Sequence, residues 1–263
     1  MVTLKSLLPQ GNVVIGMVHL LPLPGSAGFN GDMDKVYEQA LADAETLERG
    51  GVSALLVENF GDVPYGKTLS LEQSTALAAV SAVIKSRTKL PVGIDAAFCD
   101  YRSALASAKA AGADFVRLAV FVDTVECFAG VIEPCCSDAL VYRKQLQAED
   151  IAILADVQVK HTHMLLPHVP IEESAAVAES CGADAVIVTG AQTGRETPLE
   201  TVRRVKQAVR CPVIIGSGVK SSNIKEQLAV ADGAIVGSSL KDAEFPHRVN
   251  YEKVRELLSQ IKA

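Results

Sequence analysis

The chain has 263 residues, 31 acidic against 25 basic side chains and a formal net charge of −6. Hydrophobic residues make up 49 % and charged residues 21 %, which excludes intrinsic disorder, a state of low hydrophobicity and high net charge. The mild acidity argues against a nucleic-acid partner, which would need a basic face.

The longest apolar runs are strand-like, such as 54–57, far short of the ~18 residues of a membrane helix. No integral membrane segment is expected. The opening MVTLKSLLPQ has no apolar core or small-residue cleavage site, so no signal peptide is expected. Cys99, Cys127, Cys135, Cys136, Cys181 and Cys211 form no C-x-x-C pair. A chain of this size does not need disulfide staples, so reduced thiols in a cytoplasmic protein are expected.

In chain order the hydrophobic pattern predicts strands near Val13–Leu20, Ala54–Phe60, Pro91–Phe98, Phe115–Phe121, Ala152–Val159, Ala185–Gly190, Pro212–Gly218 and Gly233–Leu240. Helices are predicted near Asp34–Arg49, Ser70–Ser86, Arg102–Ala111, Asp138–Gln147, Ile171–Ser180, Pro198–Val209, Ser222–Val230 and Tyr251–Ile261. Eight strands, each followed by a helix, specify an α/β TIM (β/α)8 barrel, one domain over residues 1–263. A dinucleotide-binding open sheet would carry a Gly-rich turn after its first strand. Here that strand runs into His19-Leu-Leu-Pro-Leu-Pro-Gly25. Glycines before several strands, and the matching openings Leu90-Pro-Val and Cys211-Pro-Val, are open to two readings: a half-barrel repeat or the reuse of common turns.

Barrel active sites lie at the strand C-termini. The polar residues there are His19, Glu58, Asn59, Asp95, Arg117, Asp156, Gln158, Lys160, His161, Thr189, Ser217 and Ser238. Side chains alternate across a strand. In Ala155-Asp-Val-Gln-Val-Lys160 the apolar set suits the helix layer, so Asp156, Gln158 and Lys160 are expected to point inward. By the same parity Asp95 and Arg117 point inward, and a buried Arg117 needs a carboxylate, with Asp95 and Asp156 as candidates. Lys160 has three readings: a charge partner for Asp156, a binder of a substrate anion, or a Schiff-base lysine. His161-Thr-His163, with Asp95, Asp156 and His19, leaves a divalent metal open, against ordinary loop histidines. The segment Glu126–Cys136 reads as an enlarged loop after the fourth strand, structural by default and a lid by position.

The last two strands end in Ile215-Gly-Ser-Gly218 and Val236-Gly-Ser-Ser-Leu240. Barrels often hold phosphate between these two loops, where backbone N–H groups and hydroxyls meet the anion. Gly216, Ser217, Gly218, Gly237, Ser238 and Ser239 are therefore candidate phosphate ligands, with Asn223 and Lys241 assisting and Arg195 as a candidate clamp. Tight turns and a solvated arginine are the alternatives.

Gly16-Met-Val-His-Leu-Leu-Pro-Leu-Pro-Gly25, Val57-Glu-Asn-Phe-Gly-Asp62 with Pro64-Tyr65, Asp156-Val-Gln-Val-Lys-His161, Thr189-Gly190 through Thr193-Gly194, and Asp232–Lys241 resemble the motifs of the BtpA family (the BtpA/SgcQ group) over nearly the whole chain. The resemblance implies a TIM barrel and a predicted enzyme whose reaction is not settled. Photosynthetic members are implicated in photosystem I biogenesis, in peripheral contact with membranes. The motif residues shared here are His19, Glu58, Asn59, Asp62, Asp156, Lys160 and His161.

Two functions follow. The first is a lyase, aldolase or isomerase acting on a small phosphorylated metabolite such as a sugar phosphate. Its candidate catalytic residues are His19, Glu58, Asp95, Asp156, Lys160 and His161, with Asn59, Arg117 and Arg195 beside the phosphate loops. The second is a non-catalytic assembly factor. A homo-oligomer is expected in either case.

Overall fold

The structure, a computed structural model, describes residues 12–190, 195–244 and 248–262. Gln192, Thr193 and Gly194, which precede the candidate clamp Arg195, lie outside the described residues. Eight parallel strands close a barrel in the order β1 (Val13–His19), β11 (Gly233–Val236), β10 (Val213–Ile215), β9 (Ala185–Val188), β7 (Ala152–Val157), β4 (Phe115–Leu118), β3 (Val92–Asp95) and β2 (Ala54–Glu58), with β2 pairing back to β1. The helices α1 (Met33–Gly50), α2 (Leu71–Arg87), α3 (Tyr101–Ala111), α4 (Cys136–Gln145), α5 (Ile171–Ser180), α6 (Leu199–Ala208), α7 (Ile224–Leu228) and α8 (Tyr251–Lys262) follow the barrel strands in turn. This is the single-domain (β/α)8 architecture that the alternating pattern predicted.

The alternation of the strands makes two cores. Ala155 and Val157 pack between strands and helices. Ile15, Leu56, Phe115, Leu154, Ile187 and Ile235 fill the barrel interior. Helix starts follow side-chain capping: Asp32 accepts from Lys35 N, Ser70 and Gln73 form a reciprocal capping box, and Asp100 accepts from Arg102 N and Ser103 N. Each cap satisfies backbone donors that the first helical turn leaves open. Gly51 and Gly112 adopt the left-handed conformation that ends α1 and α3.

All eight predicted strands run past the observed ladders, four of them by three residues or more. Those four ladders stop at Asp95, Leu118, Ile215 and Val236, and Ser238–Leu240 turns into a 3-10 helix. Beyond these points the chain leaves the ladder to build the barrel mouth, and the alternating pattern no longer reports its direction. The segment after β4 is a hairpin, β5 (Val125–Cys127) and β6 (Gly130–Ile132), joined by β8 (His163–Met164) into an antiparallel sheet. It rests on a small apolar cluster containing Ala119, Val120 and Val159. All six cysteines are free thiols. Among the described residues no helix is long and apolar enough to cross a membrane.

Candidate functional site

The strand C-termini open into a cavity of about 420 Å³. Register builds its centre. His19 pairs with Glu58, Glu58 with Asp95 and Asp95 with Arg117, so four adjacent strands present four ionisable side chains at one level. All four line the cavity, joined by Lys160 and His161 from the loop after β7. Met17 and Ile235 close the floor.

Burial dominates the ionisation of His19, Glu58, Asp95 and Lys160. His19 Nε2 lies 3.5 Å from Glu58 Oε2, and its ring stacks on Phe60 at 4.2 Å between centroids. Desolvation, reinforced by the positive charges of Lys241, Lys160 and Arg117, holds His19 well below the usual histidine range, as neutral imidazole. Burial pushes the Glu58 carboxyl up, against the pull of Arg117, Lys160 and Lys241. Asp95 is pushed well up by burial, with Glu58 and Asp156 adding to the effect and Arg117 opposing it. The Lys160 ammonium is pushed down by burial and by Arg117. Oppositely shifted acids and bases within one cavity are the arrangement that acid–base catalysis requires.

Arg117 decides the role of Asp156. Its Nε and Nη2 donate to Asp156 Oδ1 and Oδ2 at 2.7 and 2.8 Å, and Nη1 reaches Asp95 Oδ2 at 3.4 Å. Asp156 is 0 % exposed and does not line the cavity. The expectation that Asp156 moves protons is therefore corrected: both its oxygens are held by the guanidinium. The reading of Lys160 as a charge partner for Asp156 is not met either. Among the described residues no carboxylate forms an ion pair with Lys160, because Arg117 has taken that place. With the guanidinium between Asp95 and Asp156, the two carboxylates and His19 do not converge as metal ligands. Among the described residues no group of three or more His, Cys, Asp or Glu side chains could hold a metal ion.

Other expectations change for a local reason. β7 ends at Val157, and Gln158 takes a positive φ of 47°. Its N–H donates to Asp123 Oδ2 at 2.7 Å, and its side chain donates to Val169 O at 2.9 Å. Gln158 therefore points away from the barrel, and the break carries Lys160 to the mouth, where its N–H donates to Thr189 Oγ1 at 2.9 Å. His161 lines the cavity, whereas His163 sits in β8 opposite Glu126 and does not. Asn59 is fully buried and does not line the cavity. It accepts from Ala97 N at 2.8 Å and donates to Asp62 Oδ2 at 3.0 Å, so it braces the loops after β2 and β3 instead of binding substrate. Asp62 also accepts from Leu23 N at 2.7 Å and from the Gln73 side chain at 2.9 Å.

The two glycine-serine loops face the cavity through Gly216, Ser217, Gly218, Gly237, Ser238 and Ser239. Gly218 has φ +72°, and a Cβ there would run into the Arg195 carbonyl, so the turn requires glycine. A Cβ on Gly237 would stand 2.9 Å from His19 Cε1. The hydroxyls are largely committed: Ser217 Oγ accepts from Gly190 N at 2.8 Å, and Ser239 Oγ donates to Val219 O at 2.7 Å. Asn223 accepts from Lys220 N and donates to Gly218 O, which shapes the loop. Lys241 is buried on Asp43 at 3.4 Å and does not line the cavity. The Arg195 side chain is exposed and does not line the cavity either; only its carbonyl supports the loop.

Lys220, Phe60, Tyr65 and Phe98 line the cavity although sequence reasoning did not select them. Lys220 directly follows Ser217-Gly218-Val219, so extending that loop by two residues would have found it. Phe60 and Phe98 close the segments predicted as the second and third strands, but the ladders end before them, so strand parity does not report that they meet Tyr65.

Fold and cavity together define a TIM-type barrel with a buried ionisable layer beside two glycine-rich loops. The chain belongs to the BtpA family, whose model matches residues 10–263. It is 40 % identical over 252 residues to an uncharacterized protein of Thermococcus kodakarensis, covering 95 % of each chain. It is 39 % identical over 238 residues to the photosystem I biogenesis protein BtpA of Synechocystis, covering 88 % of this chain and 80 % of the relative. Among solved structures it resembles (S)-3-O-geranylgeranylglyceryl phosphate synthase of Thermoplasma acidophilum in complex with its substrate sn-glycerol-1-phosphate. That match has a TM-score of 0.61 at 19 % identity and covers 100 % and 99 % of the two chains, a likeness of fold.

Proposed function

We propose that this protein is an enzyme acting on a small phosphorylated metabolite by proton transfer, a reaction of the lyase, aldolase or isomerase type. The observation that carries the reading is the layer of His19, Glu58, Asp95 and Arg117, the first three with their ionisation shifted by burial, in one cavity with the loops 216–220 and 237–239. The phosphate sits against those loops, with Lys220 as its cation. Neutral His19 and the carboxyl of Glu58 exchange the proton, and Lys160 holds developing negative charge on the substrate. The Thermoplasma synthase, a barrel of the same fold, takes the phosphorylated substrate sn-glycerol-1-phosphate, which supports a phosphorylated substrate for this barrel.

The Synechocystis relative, a photosystem I biogenesis protein, supports a second reading, an assembly factor. A scaffold has no use for a buried ionisable layer that costs desolvation energy, which favours the enzyme. The six free thiols support a cytoplasmic location.

Calorimetric titration with inorganic phosphate tests the reading. Saturable binding is expected in the native chain and lost in Gly237→Asp, which places a carboxylate between the anion and His19. Circular dichroism must show the variant folded. Phosphate binding that survives in the folded variant overturns the assignment.

A further inference from the structure

The wall facing the phosphate loops differs from them in chemistry. Phe60, Val63, Tyr65 and Phe98 line it, drawn from the loops after β2 and β3. Phe128, from the β5–β6 hairpin, backs it with its ring centroid 6.4 Å from those of both Tyr65 and Phe98. Three separate segments thus bring aromatic rings to one rim. The rings are not simply core: Phe60 is 41 % and Phe128 62 % exposed, and Val63 is 57 % exposed. Exposed apolar surface grouped at the edge of a polar cavity marks a surface that a ligand covers.

This wall offers almost nothing to a hydroxyl group. Its one polar side-chain atom, the Tyr65 hydroxyl, already donates to Phe60 O at 2.8 Å. A sugar hydroxyl placed here would lose its hydrogen bonds to water without replacement. An apolar ring would instead gain ring-face and ring-edge contacts. The cavity, about 420 Å³, falls within the range of roughly 300–1,000 Å³ that suits ligands well beyond a bare phosphate.

Resting on the phosphate reading above, we propose that the substrate is a phosphate monoester whose opposite end is an apolar, ring-sized group seated on Phe60, Tyr65 and Phe98. The polar layer lies between the two ends, so chemistry falls on the atoms that link phosphate to ring. A polyol phosphate fits the anion loops but leaves this wall uncovered.

The test compares inorganic phosphate, ribose 5-phosphate and phenyl phosphate by calorimetry on the full chain. Phenyl phosphate is expected to bind at least about tenfold tighter than either of the others. The preference for phenyl phosphate over inorganic phosphate, measured within each variant, should fall below about threefold in Phe98→Ala and in the more exposed Phe60→Ala. Because it is a ratio, it does not depend on how much of each variant folds. Ribose 5-phosphate binding as tightly as phenyl phosphate overturns the proposal while leaving the phosphate reading intact. A preference unchanged in both variants also overturns it, since the ring would then sit elsewhere. If none of the three anions binds, the phosphate reading falls and this proposal with it.

Discussion

Replacing Arg117 by methionine tests the least expected feature of the site, the sealing of Asp156. Arg117 is 7 % exposed and holds Asp156 through two short, charge-assisted bonds of 2.7 and 2.8 Å. Methionine keeps the apolar stem and removes both donors. Asp156, at 0 % exposure, then has no compensating charge, which costs on the order of 3–5 kcal/mol. Asp95 adds little to the loss. Its bond to Arg117 is longer, 3.4 Å, and burial already favours its uncharged form. With an unfolding entropy of about 2.1 cal/mol/K per residue over 263 residues, the loss lowers Tm by about 5–9 °C. Thermal unfolding followed by circular dichroism measures it. The double variant Arg117→Met/Asp156→Leu should recover more than half, because an apolar pair of similar size can replace a buried ion pair at little cost. A single-variant loss under about 1 kcal/mol, or a double variant no more stable than the single, refutes the argument.

Three further outcomes follow from the charges at the mouth. Burial raises the Glu58 carboxyl above its ordinary value of 4.5. The stability that protonated Glu58 contributes is complete below that value and lost as pH rises through the folded one. Glu58→Gln has no carboxylate to desolvate, so its Tm relative to the native chain should improve between about pH 4.5 and pH 8; a flat difference refutes the burial argument. Lys160→Met strands no partner, so its stability cost should stay within about 1 kcal/mol, while phosphate affinity falls about tenfold or more. A loss of about 3–5 kcal/mol would show that Lys160 does hold a buried carboxylate. Borohydride with keto- or aldehyde-phosphates should leave Lys160 unmodified, and a covalent adduct there would establish Schiff-base chemistry instead.

The sequence by itself determined the barrel and the inward direction of Asp95, Arg117 and Asp156. Both follow from the two-residue period of strands with one face in the barrel and the other against helices, a pattern that local composition carries. It also pointed to the glycine loops at 216–218 and 237–239, because such turns need particular residue types. Only the tertiary structure decided which of these groups meet. The alignment of His19, Glu58, Asp95 and Arg117 is a matter of register between strands, which no single strand encodes. Parity failed at Gln158, where a bond to Asp123, 35 residues earlier, turns the backbone out of the ladder and reorients everything up to His161. Asp156 and Asn59 had the right residue types for chemistry. They were committed to Arg117, and to Ala97 and Asp62, by contacts that exist only once the barrel has closed. The aromatic rim shows the same limit: Phe60, Tyr65, Phe98 and Phe128 lie beyond the ends of the barrel ladders, and closure of the barrel alone brings them to one wall.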